Sequence, residues 1–313
     1  MKTLLTIDST EAAEFIKRGG VVAFPTETVY GLGANVFDER AVAKIFEAKE
    51  RPADNPLIAH VSSVKRIKTL ATEITESAGK LIDRFFPGPL TIVLPRSERV
   101  PTIATAGLDT IGVRMPRYPL ACAFIEACGM PLAAPSANLS GRPSPTTWQA
   151  VLEDLDGRID CILQGEPTEI GLESTVVDCT GKVPLVLRVG AVSLEQLQAV
   201  VPETHLHQIG ERDAARSPGI KHKHYSPNAT VKIINTQFEI SNFKSAFIGL
   251  KSPMEKVEIE RICTSVDEYA HELFEFFREC DRQGIETIYC EQVDESGIGA
   301  ALMDRIRRAA SGQ

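Results

Sequence analysis

The feature that most constrains this chain is a break in its apolar pattern. From residue 9 to residue 201 short apolar runs alternate with capped amphipathic segments, and between 202 and 228 His, Arg, Lys, Pro and Gly take over. Beyond 229 the alternation resumes. Each patterned stretch must bury its own apolar faces, so the expectation is two α/β units joined by a polar connector. The boundaries read as residues 1–202, 203–229 and 230–313. A length of 313 residues also suits two domains.

In the first unit Ser9 or Thr10 caps a helix ending at Gly19-Gly20, before a strand at 21–24. Asp38 caps a second helix with Val42, Ile45, Phe46 and Lys49 on one face. Arg51 directly precedes Pro52, which biases it towards an extended conformation, so both cations are expected to reach the same space. Further strands read at 57–61, 90–94, 110–115, 131–134, 159–163, 174–179 and 185–189, with helical pattern at 64–70, 76–86, 118–128, 146–155 and 193–201. The second unit has strands at 231–234, 245–250, 257–259 and 285–290 and helices at 266–280 and 298–310.

Composition narrows function by exclusion. Hydrophobic residues at 43% and charged residues at 24% are those of an ordinary globular protein. A net charge of -8 argues against bulk electrostatic binding of long nucleic acid, so no stable nucleic-acid binding is expected. Seven scattered cysteines without a C-x-x-C pair read as reduced, mostly buried thiols. No apolar run has the length of a membrane span or the form of a signal sequence, and a cytoplasmic protein without membrane association is expected. P-loop, H-E-x-x-H and G-x-S-x-G motifs are absent, and Gly31-Leu32-Gly33 lacks the third glycine of a dinucleotide fingerprint. His222 and His224 have no third ligand nearby in sequence, so no metal site is expected.

What remains is a set of cations, hydroxyls and an amide in predicted loops: Thr26, Thr28, Lys49, Arg51, Arg114, Ser136, Asn138, Ser144, Ser174, Arg188, Ser217 and Tyr225. Such a set suits an anionic ligand, with Arg forks on its oxygens and neutral groups fixing its orientation. Lys49 and Arg51 also fit a plain helix end paired with Glu47 or Glu50. Ser136 and Asn138 fit a turn, and His60 a half-buried structural histidine. Arg114 and Arg188 resist that treatment, because an unpaired charge in a β-rich run is costly.

KER at 49–51 and SAN at 136–138 resemble the K-x-R and S-x-N pair of the YrdC/YciO family. PTETVYGLGA, FFPGPLTIVL, IGVRMP, PSANLSGRPSPT and LESTVVD extend the resemblance over about residues 10–200. SPGIKHKHYSP at 217–227, with an α/β unit behind it, is similar to the long two-domain synthases of that family. The resemblance implies a YrdC-like twisted α/β domain with a large, positively charged central cavity, a smaller Rossmann-like α/β C-terminal domain, and a connector lying over the active site. It implies an L-threonylcarbamoyladenylate synthase, a nucleotidyltransferase that makes threonylcarbamoyl-AMP and pyrophosphate from L-threonine, bicarbonate and ATP for the t6A modification of tRNA. Mg2+ would accompany ATP, and a downstream threonylcarbamoyl transferase complex would receive the product.

Carried over by motif, Lys49, Arg51, Ser136 and Asn138 form a catalytic tetrad, while Thr28, His60, Arg114 and Ser174 hold L-threonine. Arg51, Asn55, Thr110, Ser136, Ser144, Arg188 and Tyr225 hold ATP. The chain departs from the family's pattern at Ala134, where a threonine is expected, and at His222, where an aromatic residue is. On this reading Lys49→Ala and Arg51→Ala fold normally and lose most turnover, and truncation after Val201 costs activity. The rival readings are an RNA-binding or ribosome-associated module without this turnover, and a carbamoyl-adenylate enzyme using a different carbamate donor or a relative acting on another amino acid.

Overall fold

Side-chain caps open the helices that frame the site. The Asp8 carboxylate accepts from the backbone N–H of Thr10 and Glu11, placing the start of α1 (Ser9–Lys17) one residue earlier than Ser9 or Thr10 would. Asp38 accepts from Arg40 and Ala41 and starts α2 (Glu39–Lys49), whose Val42, Ile45, Phe46 and Lys49 are all buried. That helix stops because Glu50 adopts a left-handed conformation, φ 52°, and turns the chain towards Arg51.

The structure is a computed structural model that describes residues 2–207, 225–235, 244–253 and 255–311. The strands of the first unit are β1 (Leu4–Thr6), β2 (Val22–Phe24), β3 (Gly31–Asn35), β4 (Ile58–His60), β5 (Leu90–Pro95), β6 (Thr110–Arg114), β7 (Leu132–Ala133), β8 (Cys161–Leu163), β9 (Thr175–Asp178), β10 (Leu185–Arg188) and β11 (His205–Leu206). Its remaining helices are α3 (Glu76–Phe85), α4 (Pro119–Cys128), α5 (Trp148–Leu155) and α6 (Leu194–Gln198). The pattern at 64–70 forms a 3₁₀ helix, Val64–Thr69.

Among the described residues these strands make one mixed sheet, ordered β1-β8-β2-β3-β7-β4-β6-β5-β9-β10-β11. Parallel pairs such as β4 with β6 and β5 with β9 alternate with antiparallel ones such as β3 with β7 and β5 with β6. The sequence reading had no strand at 4–6, 31–35 or 205–206. Since β11 pairs in parallel with β10, residues 205–206 belong to the first domain's sheet, and the boundary expected at 202 moves past them. Residues 208–224, which carry Ser217, His222 and His224 of the expected connector, lie outside the described residues.

The second unit has β12 (Thr230–Ile234), β13 (Ser245–Gly249), β14 (Ile259–Ile262), α7 (Val266–Arg282), β15 (Thr287–Glu291) and α8 (Gly299–Ser311). Its four strands are all parallel, in the order β12-β15-β13-β14. A mixed α/β fold of a large cavity-bearing sheet and a smaller parallel one matches the fold expected from sequence. The two units touch closely: a Cβ added at Gly171, where φ is +80°, would lie 2.5 Å from the backbone of His271 on α7. Val29 and Leu172 of the first unit are buried in the second unit's apolar core.

Candidate active site

Loops at one side of the large sheet line a partly open, cation-rich cavity. Ten of the thirteen residues expected to hold or act on substrates line it: Thr28, Arg51, His60, Arg114, Ser136, Asn138, Ser144, Ser174, Arg188 and Tyr225. Lys49, Asn55 and Thr110 do not line it.

Lys49 shows why. Its side chain is 1% exposed, and Nζ donates to Ser136 O and Asn138 O, both at 2.6 Å, and to Asn138 Oδ1 at 3.3 Å. It stands behind the 136–138 loop and shapes it, instead of sharing space with Arg51 as the sequence suggested. Burial, and then the Arg51 charge, hold its pKa well below the ordinary lysine value. Neither Glu47 nor Glu50 pairs with it; Glu50 pairs with Arg158 at 2.6 Å. Ser136 Oγ donates to Asn138 Oδ1 at 2.6 Å, and Asn138 Nδ2 donates to Leu139 O and Arg142 O, so these residues form one rigid corner.

Among the described residues Arg51 donates to two backbone carbonyls, Asn55 O at 3.3 Å and Pro56 O at 3.4 Å, and its Nε has no partner. Burial lowers its pKa to about 10, which leaves it protonated at neutral pH. Asn55 is 2% exposed, and both polar atoms of its side-chain amide are buried without a partner, an arrangement that protein interiors rarely tolerate. Thr110 opens onto a smaller, mainly apolar recess that shares Pro56, Leu57 and Ile58 with the main cavity.

At the other end, β4 and β6 lie in register with His60 opposite Arg114. Arg114 donates to Thr28 Oγ1 at 2.8 Å and to Gly88 O at 3.3 Å, and pairs with the fully buried Glu27 at 2.7 Å. The His60 ring meets Phe24 edge-on at 5.9 Å. Burial, reinforced by Arg114, takes its pKa down to about 3, so the ring is neutral. Ser174 joins the two ends, sharing a hydrogen bond with Thr91 Oγ1 at 2.8 Å and accepting from Arg188 Nη2 at 3.2 Å. Ala134, in place of the expected threonine, also lines the cavity.

Sequence reasoning missed the acidic groups that hold these cations. Glu27 and Glu173 stand inside the quoted PTET and LEST blocks, so their positions were visible but their partners were not. Burial raises the Glu173 pKa, but Arg305, Arg188 and the hydrogen bonds from Ser144 and Arg305 outweigh it and keep the group below its usual range. Nothing local marks Arg278 and Arg305 of the second unit as partners of this region.

A cation-rich cavity behind a K-x-R and S-x-N corner defines a class, and the chain belongs to the Sua5/YciO/YrdC family: the profile described as "Telomere recombination" matches residues 14–190. A second profile, "Threonylcarbamoyl-AMP synthase, C-terminal domain", matches residues 192–311. Similar proteins include the threonylcarbamoyl-AMP synthase of Pyrococcus abyssi, 46% identical over 96% of this chain and 93% of that one. That of Bacillus subtilis is 40% identical over 97% and 93%. The solved structure of P. abyssi Sua5 complexed with L-threonine superposes with a TM-score of 0.91 and 44% identity, covering 99% of this chain and 97% of that one.

Proposed function

We propose that this chain is an L-threonylcarbamoyladenylate synthase that supplies the t6A modification of tRNA and binds both substrates in the one cavity. The observation that carries the reading is the cavity wall. Arg51, Arg114 and Arg188 converge there with the hydroxyls of Thr28, Ser136, Ser144 and Ser174, in a chain that superposes on a relative complexed with L-threonine.

Arg114, fixed by Glu27 and Thr28, is the cation for the threonine carboxylate, and the neutral His60 ring and Ser174 complete that end. Arg51, Ser136, Ser144, Arg188 and Tyr225 face the nucleotide, with Asn55 and Thr110 at its margin. Threonine nitrogen takes up bicarbonate carbon with loss of water, giving a carbamate. A carbamate oxygen then attacks the α-phosphorus, the α–β anhydride bond breaks, and pyrophosphate leaves. Two anions have to meet, so fixed positive charge is the main requirement and no protein nucleophile is needed. Lys49 contributes by holding the Ser136 and Asn138 loop in place.

Mg2+ belongs to this reading as the companion of the triphosphate. The nearby carboxylates, Glu27 and Glu173, are already committed to Arg114 and Arg305, which fits a metal brought in by ATP better than one held by the protein. No helix among the described residues is long and apolar enough to cross a membrane, and the expected setting is the cytoplasm, where a transferase takes the adenylate. Mass spectrometry of a reaction containing threonine, bicarbonate and ATP should show threonylcarbamoyl-AMP, lost when any one substrate is omitted. Pyrophosphate release that ignores threonine and bicarbonate would overturn the assignment.

A further inference from the structure

The second domain reaches the acidic group of the cavity wall through Arg305. Arg305 on α8 is 0% exposed; its Nε donates to Glu173 Oε2 at 2.8 Å and its Nη2 to Val189 O at 3.0 Å, and its guanidinium lies 5.2 Å over the Tyr225 ring. The other Glu173 oxygen accepts from Ser144 Oγ at 2.6 Å. Arg188 also acts electrostatically on this carboxylate, yet among the described residues it donates to Ser174 alone, to O at 2.9 and 3.2 Å and to Oγ at 3.2 Å. Among the described residues no carboxylate lies within ion-pair distance of Arg188. One buried carboxylate thus shares the cavity wall with Arg188 and is committed to the guanidinium outside the cavity.

We propose that Arg305 is a positioning residue that keeps Glu173 from neutralising Arg188, so that the second domain sets the affinity of the cavity for its nucleotide. The identity of the ligand rests on the synthase reading above. A buried carboxylate stripped of its partner turns to the nearest remaining cation or takes up a proton. Without Arg305 the remaining guanidinium acting on Glu173 is that of Arg188. An Arg188 paired in this way is lost to a phosphate, and Ser144 loses its orientation with it.

The test uses the full-length protein and reads ATP binding by calorimetry beside steady-state pyrophosphate release. Arg305→Met should raise the ATP Kd and KM about 30-fold or more, while the threonine KM stays within about twofold. Adding Glu173→Gln removes the charge that would capture Arg188, and Arg305→Met/Glu173→Gln should recover most of the lost affinity. Arg305→Lys should keep ATP binding close to wild type. Thermal melts accompany each variant; the double variant removes both members of the Arg305–Glu173 pair, and Asp304 keeps its pairing with Arg308. Equal losses for ATP and threonine, or a double variant no better than Arg305→Met, would overturn the proposal. A wild-type chain that binds ATP but releases no pyrophosphate with threonine would defeat the synthase reading alone, and the variants' ATP affinities would still decide this one.

Discussion

Two buried cations hold the loop at 135–145, and they are balanced in opposite ways. Lys49 of the first domain reaches neutral oxygens, Ser136 O, Asn138 O and Asn138 Oδ1, and among the described residues no carboxylate pairs with it. Arg278 of the second domain donates to Pro143 O at 2.6 Å and forks onto Asp154 at 2.9 and 3.2 Å. The Asp154 side chain is 0% exposed and also accepts from Arg142 at 2.8 Å. A cancelled charge can only fasten, whereas an uncancelled one also acts on whatever anion enters the cavity, at a cost to the fold. The loop therefore has a charge-paired grip at Arg278 and a grip without a carboxylate partner at Lys49.

The largest effect should come from breaking the charge-paired grip. Asp154→Ala leaves two arginines without their carboxylate, and we expect a loss of about 3–5 kcal/mol in denaturant melts. A loss below about 1 kcal/mol would mean that the seam between the domains carries little load. Arg51→Ala should do the reverse. Among the described residues its guanidinium donates to just two backbone carbonyls, so melting should change little while kcat falls about 10²–10³-fold. Lys49 sits between these extremes. Lys49→Met strands the Ser136 and Asn138 carbonyls, at about 2–3 kcal/mol, and loosens the corner that carries both side chains. That replaces the expectation from sequence that Lys49→Ala folds normally. A Lys49→Met chain as stable as wild type would show that water satisfies those carbonyls.

The same contrast shows what sequence could reveal. KER and SAN were legible because each compresses its chemistry into three residues, and Asp38 because a cap acts on the N–H groups just beyond it. Strand β3 was not legible: GLGAN has no β-branched residue, and it becomes a strand because its glycines leave room for Phe24. A Cβ at Gly33 would lie 2.9 Å from that ring. Arg278 and Arg305 lie on helices whose exposed faces carry many other charges, and their partners are 124 and 132 residues away. Only the packing of the two domains separates a buried arginine from a solvated one. For Lys49 the helix face was readable, but which side of the 136–138 loop the ammonium occupies is a tertiary fact.

His60 gives the smallest effect and the finest test, since the burial that leaves Lys49 uncompensated should also keep this ring neutral. Its folded pKa is about 3 against 6.5 for the free side chain, with burial the main cause and Arg114 the second. Between those values the unfolded chain binds a proton that the folded chain refuses. Stability is therefore complete above pH 6.5 and declines as pH falls towards 3, by at most about 1.4 kcal/mol per pH unit. Asp154, whose pKa is lowered from 3.8 because Arg278 and Arg142 outweigh the effect of its burial, adds a loss of the same sign, but only below that value. Denaturant melts of wild type and His60→Gln between pH 7 and pH 4.5 separate the two, since in that window the histidine is the one of this pair that titrates. The wild-type slope should flatten in His60→Gln. Equal slopes would place the proton on His60 in the folded protein, and the cavity would then hold one more cation than the charges of Arg51, Arg114 and Arg188 provide.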